Sequence, residues 1–318
     1  MFFHLRHVLQ YAYERPVFLE PTTLRLTPRS CPAQRLLHHE MQITPEPSGS
    51  SCVLEADGGE ALVVWFDGLL QELSIEVEMV VHTTRDNPFG WVVTYPPILQ
   101  LPASYPPSEA NSLVSCLQVG KPIASAVQQW AADLSAAVGG SSVDFLMRLA
   151  DEIHQCFHHV GRPDGQPFEP IDTLTTRSGA CRDTAMLYVE ACRSLGLAAR
   201  FVSGYSMHHP EEVSQHELHA WAEVYLPGAG WRGYDPSLGL AVADGHVVLT
   251  AAPDHRLAAA VSGSYRGTGV GSSMHYEVDV RNALNLRELQ ALDHVKPLRL
   301  APLEQWHIGE KASAADVQ

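Results

Sequence analysis

Hydrophobic and polar positions alternate with nearly period two from Leu73 to His82. Leu73, Ile75, Val77, Met79 and Val81 fall on one face, with Ser74, Glu76, Glu78, Val80 and His82 on the other. That is the pattern of a β-strand with one buried side. A short apolar run, Ala61 to Phe66, ends at the turn signal Asp67-Gly68. Proline and glycine clusters punctuate the rest of the segment from Phe2 to about Thr94. Many short strands separated in this way predict an antiparallel sandwich.

Residues 95 to 107 are rich in proline: Tyr95-Pro96-Pro97, Leu101-Pro102 and Tyr105-Pro106-Pro107. Proline fixes its own φ and pushes the residue before it out of helix. The stretch reads as a connection between domains. The period then lengthens. Ile123 to Val138 and Val143 to His158 carry apolar residues at three- and four-residue intervals, which predicts two helices. Gly139-Gly140-Ser141-Ser142 separates them, with Ser142 placed as an N-cap. A further helix over Ala185–Leu195 stops at Gly196, a C-capping glycine. Ala198–Tyr205, Ala220–Leu226 and Trp231–Tyr234 read as strands, and the pattern fades beyond Asp279. The expected division is a β-rich unit over 1–100, a helical segment plus α+β core over 101–281, and a partly disordered extension over 282–318.

Three segments of the second unit carry candidate chemistry. Arg177-Ser-Gly-Ala-Cys-Arg-Asp183 places Cys181 just before a helical run. His219-Ala-Trp-Ala-Glu-Val-Tyr-Leu226 places an imidazole at the head of a strand, and Gly230-Trp-Arg-Gly-Tyr-Asp-Pro236 places Asp235 at the end of the next. A thiol, an imidazole and a carboxylate are the parts of an activated sulfur nucleophile. A helix N-terminus favours thiolate, the imidazole can take and return a proton, and the carboxylate fixes its tautomer. Gly179 is expected to allow a tight turn and room for a substrate backbone. The N–H of Cys181 is a candidate oxyanion donor. Trp221 is expected to pack beside the site, and Arg182 and Asp183 either orient the helix terminus or form a surface ion pair.

Composition narrows the classes. The 318 residues are 45% hydrophobic and 18% charged, with a formal net charge of −15. Such an acidic chain argues against a nucleic-acid backbone or an anionic membrane as principal partner. Six cysteines are scattered without a CxxC pair, which fits neither a disulfide scaffold nor a zinc knuckle. No signal peptide and no bilayer-length apolar run are evident, so the cytoplasm is the expected compartment. Two histidine groups invite a metal: His208, His209, His216 and His219 in one loop, and His154 and His158 four apart on a helix. Neither has a completing set of cysteines or carboxylates, so no metal or other cofactor is expected.

The three segments together resemble the transglutaminase-like superfamily of papain-like thiol enzymes, most closely its bacterial members described as cysteine proteases. Thr173–Ala185 is similar to the family's nucleophile segment, and Arg193–Tyr205 to the helix-to-strand segment after it. His219-Ala-Trp221 and Trp231-Arg-Gly-Tyr-Asp-Pro236 resemble its histidine and aspartate motifs. Leu5–Tyr13, Leu24–Arg29 and Gln34 resemble the β-rich domain that precedes the core, so the likeness covers roughly residues 2 to 281. It implies an α+β fold: an antiparallel sandwich-like N-terminal domain, then a core whose cysteine-bearing helix packs on an antiparallel sheet. It implies a Cys181–His219–Asp235 triad that forms a thioester with a peptide or protein substrate. Water would make the protein a protease or amidase; a primary amine would make it a transglutaminase. A non-catalytic peptide-binding module using the same cleft is the third reading. The oligomeric state is left open.

Overall fold

The computed structural model describes all residues except 56–57, 119, 163–164, 209–216 and 292–318. The expected partial disorder of the extension falls mostly on 292–318, outside the described residues.

The first 83 residues form six strands: β1 (Phe2–Leu19), β2 (Thr22–Leu24), β3 (Gln34–Thr44), β4 (Gly49–Leu54), β5 (Glu60–Trp65) and β6 (Leu70–Thr83). The alternating run at 73–82 lies in β6, where Leu73, Ile75, Val77, Met79 and Val81 are buried as the pattern requires. β6 is central, between β1 and β3, and all its pairings are antiparallel. A second sheet includes β2, β5 and β4. Phe3, Leu5 and Ile75 from the first sheet share one core with Leu24 and Val64 from the second and with Phe66, just beyond β5. A sandwich results because alternate residues of these strands make one apolar face of each sheet, and two such faces must cover one another.

The proline-rich stretch is a packed strap rather than a loose connection. Ile98, Leu101 and Tyr105 are buried in the core of the second unit. The Tyr105 hydroxyl donates to Tyr225 O at 2.8 Å and accepts from Ala198 N at 2.9 Å. Two single helical turns follow, α1 (Pro107–Ala110) and α2 (Val114–Leu117), then α3 (Ser125–Ala137) and α4 (Ser142–Cys156). The N-cap of α4 is Ser141, not Ser142: its Oγ accepts from Asp144 N at 3.3 Å. Gly139 and Gly140 both take positive φ, so the turn is complete one residue earlier than the pattern suggests, and Ser142 is already helical and buried. α4 also ends before His158, which lies in β7 (His158–His159). The expected helical four-residue spacing of His154 and His158 is therefore absent, and His154 Nδ1 instead donates to Ser237 O at 2.9 Å.

After α5 (Pro170–Thr176) and the two-residue β8 (Ser178–Gly179) comes α6 (Cys181–Ser194). Tyr188, Val189, Ala191 and Cys192 are fully buried, and α6 packs against the central strands of a five-stranded antiparallel sheet. Its strands are β9 (Ala199–Ser206), β10 (His219–Leu226), β11 (Gly230–Asp235), β12 (Leu240–Ala241) and β13 (His246–Ala252), in the order β12-β11-β10-β9-β13. Gly196 closes α6 as expected: at φ 78° its N–H reaches Arg193 O while Leu197 N reaches Cys192 O.

The chain then returns. β14 (Val261–Ser262) pairs with β2, while β15 (Tyr265–Arg266) and β16 (Ser272–Ala283) both pair with β1. The pattern alone groups 101–281 as one unit, but residues 261–283 complete the N-terminal sheets. β1 has a second free edge beside β6, and twelve consecutive residues of β16 satisfy its backbone groups there. A short helix, α7 (Leu286–Gln290), follows. Among the described residues no helix is long and apolar enough to cross a membrane.

Candidate active site

Cys181 is the first residue of α6, so its N–H has no carbonyl one helical turn behind it. The helix start is held by Asp183, two residues on and fully buried. Its Oδ2 accepts from Ala180 N at 2.7 Å; its Oδ1 accepts from Arg162 Nη2 at 2.6 Å and Phe168 N at 2.8 Å. Asp183 thus belongs to a buried cap, not to a surface pair. It also explains Gly179. That glycine is strand-like rather than a turn residue, and a Cβ on it would sit 2.8 Å from the Asp183 Cβ. The glycine is needed for close approach of the capping carboxylate.

His219 opens β10 and Asp235 closes β11, its antiparallel neighbour. His219 Nε2 and Asp235 Oδ2 are 2.6 Å apart. The Cys181 thiol lies beside the same imidazole at the cleft and adds to its proton affinity. With Nε2 committed to Asp235, Nδ1 is the ring nitrogen left for sulfur. Asp235 is fully buried, and its Oδ1 accepts from Ser237 N at 3.0 Å and Leu238 N at 3.3 Å. Trp221 packs as expected: wholly buried, its ring centroid lies 6.0 Å from that of His219. Gly204 of β9 makes room for it, since a Cβ there would lie 2.6 Å from the indole Cη2.

Charge is distributed unevenly over these groups. Burial alone would lower the proton affinity of His219, but the charge and hydrogen bond of Asp235, with the neighbouring Cys181, outweigh it, holding the imidazole well above its ordinary pKa. Burial would likewise raise Asp235, but its two histidine partners hold the carboxyl well below the usual range. The second of those partners is His246, first residue of β13, with Nε2 3.0 Å from the same Oδ2. Burial pushes its pKa down. No motif marks His246 in the sequence. It is a lone histidine heading a strand, brought in by the β9–β13 pairing.

The ligand atoms of His219, Asp235 and His246 all lie within 4.8 Å of one another, which raises the question of a metal. Two ligands of a tetrahedral zinc ion at about 2.0–2.1 Å stand about 3.3 Å apart. The 2.6 Å and 3.0 Å separations here are those of hydrogen bonds. Of the loop histidines, His208 is exposed, and His209 and His216 lie outside the described residues.

Cys181 and His219 open onto a cleft of about 290 Å³. The core supplies Phe201 and Arg162 to its walls, while β1 supplies His7, Leu9 and Tyr11 and β16 supplies Met274 and Tyr276. The Tyr276 hydroxyl donates to Glu217 Oε1 at 2.9 Å at the cleft wall, and burial with that carboxylate pushes the phenol up to about 12. The Arg162 guanidinium stacks 4.0 Å above Phe168 while binding Asp183.

Comparison with known proteins yields two family matches. Residues 128–236 match the transglutaminase-like superfamily, a span that includes Cys181, His219 and Asp235. Residues 3–82 match the bacterial transglutaminase-like N-terminal region. An uncharacterized protein of Mycobacterium tuberculosis is 26% identical over 290 residues, covering 87% of this chain and 92% of its own length. The protein-glutamine gamma-glutamyltransferase of Pseudomonas aeruginosa is 30% identical over 92 residues, which are 26% of this chain and 14% of that one. The crystal structure of a "Putative Cysteine Protease" from Cytophaga hutchinsonii superposes with a TM-score of 0.68 at 19% identity, over 89% of this chain and 91% of that one. The two share the α+β fold.

Proposed function

We propose that this chain, which carries a transglutaminase-like core behind a bacterial transglutaminase-like N-terminal region, is a thiol-dependent acyl-transfer enzyme acting on peptide or other amide bonds. The observation that supports this most is the series Cys181–His219–Asp235, with the thiol at a helix start and facing an open cleft. Cys181 Sγ, its proton already passed to His219, adds to the amide carbonyl carbon. Charge on the carbonyl oxygen is met by the Cys181 N–H and the α6 dipole. The C–N bond then breaks, and the His219 imidazolium gives its proton to the departing amine. A water molecule, deprotonated by His219, attacks the thioester, releasing the carboxylic acid and the thiol.

Hydrolysis is favoured over transfer to an amine because Cys181 is only half-buried in a cleft open to solvent. Transfer to an amine needs a site from which water is kept out. The test is a peptide-library digest with and without added primary amine, read by mass spectrometry, alongside Cys181→Ala. Cleaved peptides from the wild type, absent with the variant, are expected. Amine adducts in place of acids would make the protein a transglutaminase. Equal product from both proteins would remove Cys181 from the chemistry.

A further inference from the structure

We propose that His246 is a positioning residue of this site, sharing Asp235 Oδ2 with His219 and thereby limiting how tightly the carboxylate holds the imidazole. This rests on the acyl-transfer reading above, and it begins from a complete account of one buried carboxylate. Asp235 has no contact with water. Its Oδ1 takes two backbone N–H groups, from Ser237 and Leu238. Its Oδ2 takes two ring nitrogens, His219 at 2.6 Å and His246 at 3.0 Å. Four donors fill the roughly four lone-pair sites of a carboxylate. The group cannot rotate without breaking several bonds at once.

The two rings on Oδ2 are not equivalent. An anionic Asp235 has no proton to give, so both rings must donate to it. His219 can do so as an imidazolium, because the neighbouring Cys181 thiol can supply a proton. His246 faces Asp235, His219 and His208, with the edge of Trp221 5.1 Å away between ring centroids. It is fully enclosed and next to one imidazole that is already positive, so it stays neutral and carries its single proton on Nε2. The unequal distances agree: the shorter contact is the charge-assisted one.

Sharing has a chemical consequence. An anionic oxygen that accepts one hydrogen bond offers less charge to the next. Without His246, Asp235 would pull on His219 alone, and the imidazolium would surrender its proton less readily. That proton must leave for the departing amine, so an over-stabilised imidazolium slows the collapse of the tetrahedral intermediate. The indole of Trp221 packs against both imidazoles, whose centroids are 6.1 Å apart.

The test compares His246→Leu, which removes the donor, with His246→Gln, whose amide nitrogen can occupy the Nε2 position. The first readout is proton NMR of the His219 ring, followed against pH, which needs no turnover. In His246→Leu the imidazolium should persist about one pH unit higher than in wild type, a tenfold change in proton affinity. His246→Gln should return most of that shift. The second readout is kinetic. The alkaline limb of kcat/KM should move the same way, with kcat several-fold lower and KM within about twofold. A merely structural His246 would lower the melting temperature and leave the ring titration and alkaline limb in place, which would overturn the proposal. So would a glutamine variant that behaves like the leucine one. If the leucine variant does not fold, His246→Asn, with an amide too short to reach Asp235, takes its place against glutamine. Absence of amide turnover by the wild type would refute the acyl-transfer reading, while the ring titration would still decide whether His246 shares the carboxylate.

Discussion

Acidification should loosen the joint between the two halves of the molecule through a single histidine. His7 of β1 is 2% exposed and lies 2.8 Å, through Nδ1, from the hydroxyl of Tyr205 in β9 of the core sheet. Burial pushes its pKa from 6.5 down to about 4. A depressed histidine stabilises the fold only where it is neutral in both states. That contribution is full above pH 6.5. It is lost as pH falls toward 4, because the unfolded chain takes up a proton that the folded chain refuses. A depression from 6.5 to about 4 corresponds to about 3 kcal/mol over the whole window, of which about 2 kcal/mol is already lost at pH 5. His7→Gln keeps a polar partner for Tyr205 but cannot titrate. Urea unfolding of both proteins at pH 7.5 and pH 5.0 isolates the effect. Other depressed histidines, such as His246 and His39, contribute equally to both proteins and cancel in the comparison. Wild type should lose about 2 kcal/mol more than His7→Gln between the two pH values. Equal losses would show that His7 is charged, or solvated, in the folded protein.

Three further outcomes follow from the site. Asp183→Ala strips the buried cap from Ala180 N and leaves Arg162 and Phe168 N without their acceptor, and should cost about 3 kcal/mol in urea unfolding; a cost under about 0.5 kcal/mol would mean the cap is solvated. Gly179→Ala forces its new methyl against Asp183 and should destabilise by about 1–3 kcal/mol, whereas an unchanged melting temperature would show that the loop yields freely. Asp235→Asn should lower kcat at least about tenfold, or about 1.4 kcal/mol, with KM little changed, because an amide can present N–H to the ring and favour the wrong tautomer. An unchanged kcat would reduce Asp235 to a turn residue before Pro236.

Local periodicity made much of this fold legible. The two-residue rhythm of 73–82, the helical spacing of 123–138 and Gly196 at the end of α6 each report a local rule: pleat, helical turn or left-handed cap. Cys181, His219 and Asp235 each sit in a short segment with its own signature; the structure sets His219 2.6 Å from Asp235 and places Cys181 on the same cleft as His219. What escaped was produced by long-range pairing. His246 reaches Asp235 only because β13 adds to the free edge of β9, and nothing within a few residues of it encodes that choice. The same holds for β16, whose alternating Tyr276, Val278 and Val280 say that a sheet will cover one face but not which sheet. Gly179 was legible as a constraint and misread as to cause. A glycine marks a place where a side chain will not fit, and here the obstacle is a carboxylate four residues on, not a turn.

The return of β16 bears on how the cleft is made. Along β1 the odd-numbered residues face inward, and their surroundings change along the strand. Phe3 and Leu5 fill the sandwich core; His7, Leu9 and Tyr11 line the cleft. β16 lies antiparallel beside this second stretch, pairing Leu9 with Tyr276 and Tyr11 with Met274, so the wall opposite Cys181 is two strands wide. Tyr205 and Val247, from β9 and β13 of the core sheet, are buried in the same cluster as Phe3 and Leu5. The sheet that carries His219 and His246 therefore rests directly on the sandwich. The N-terminal region and the core share both a buried cluster and the cleft. One wall of the cleft is built from β1 and β16, so the cleft is completed by residues from before and after the core in the sequence.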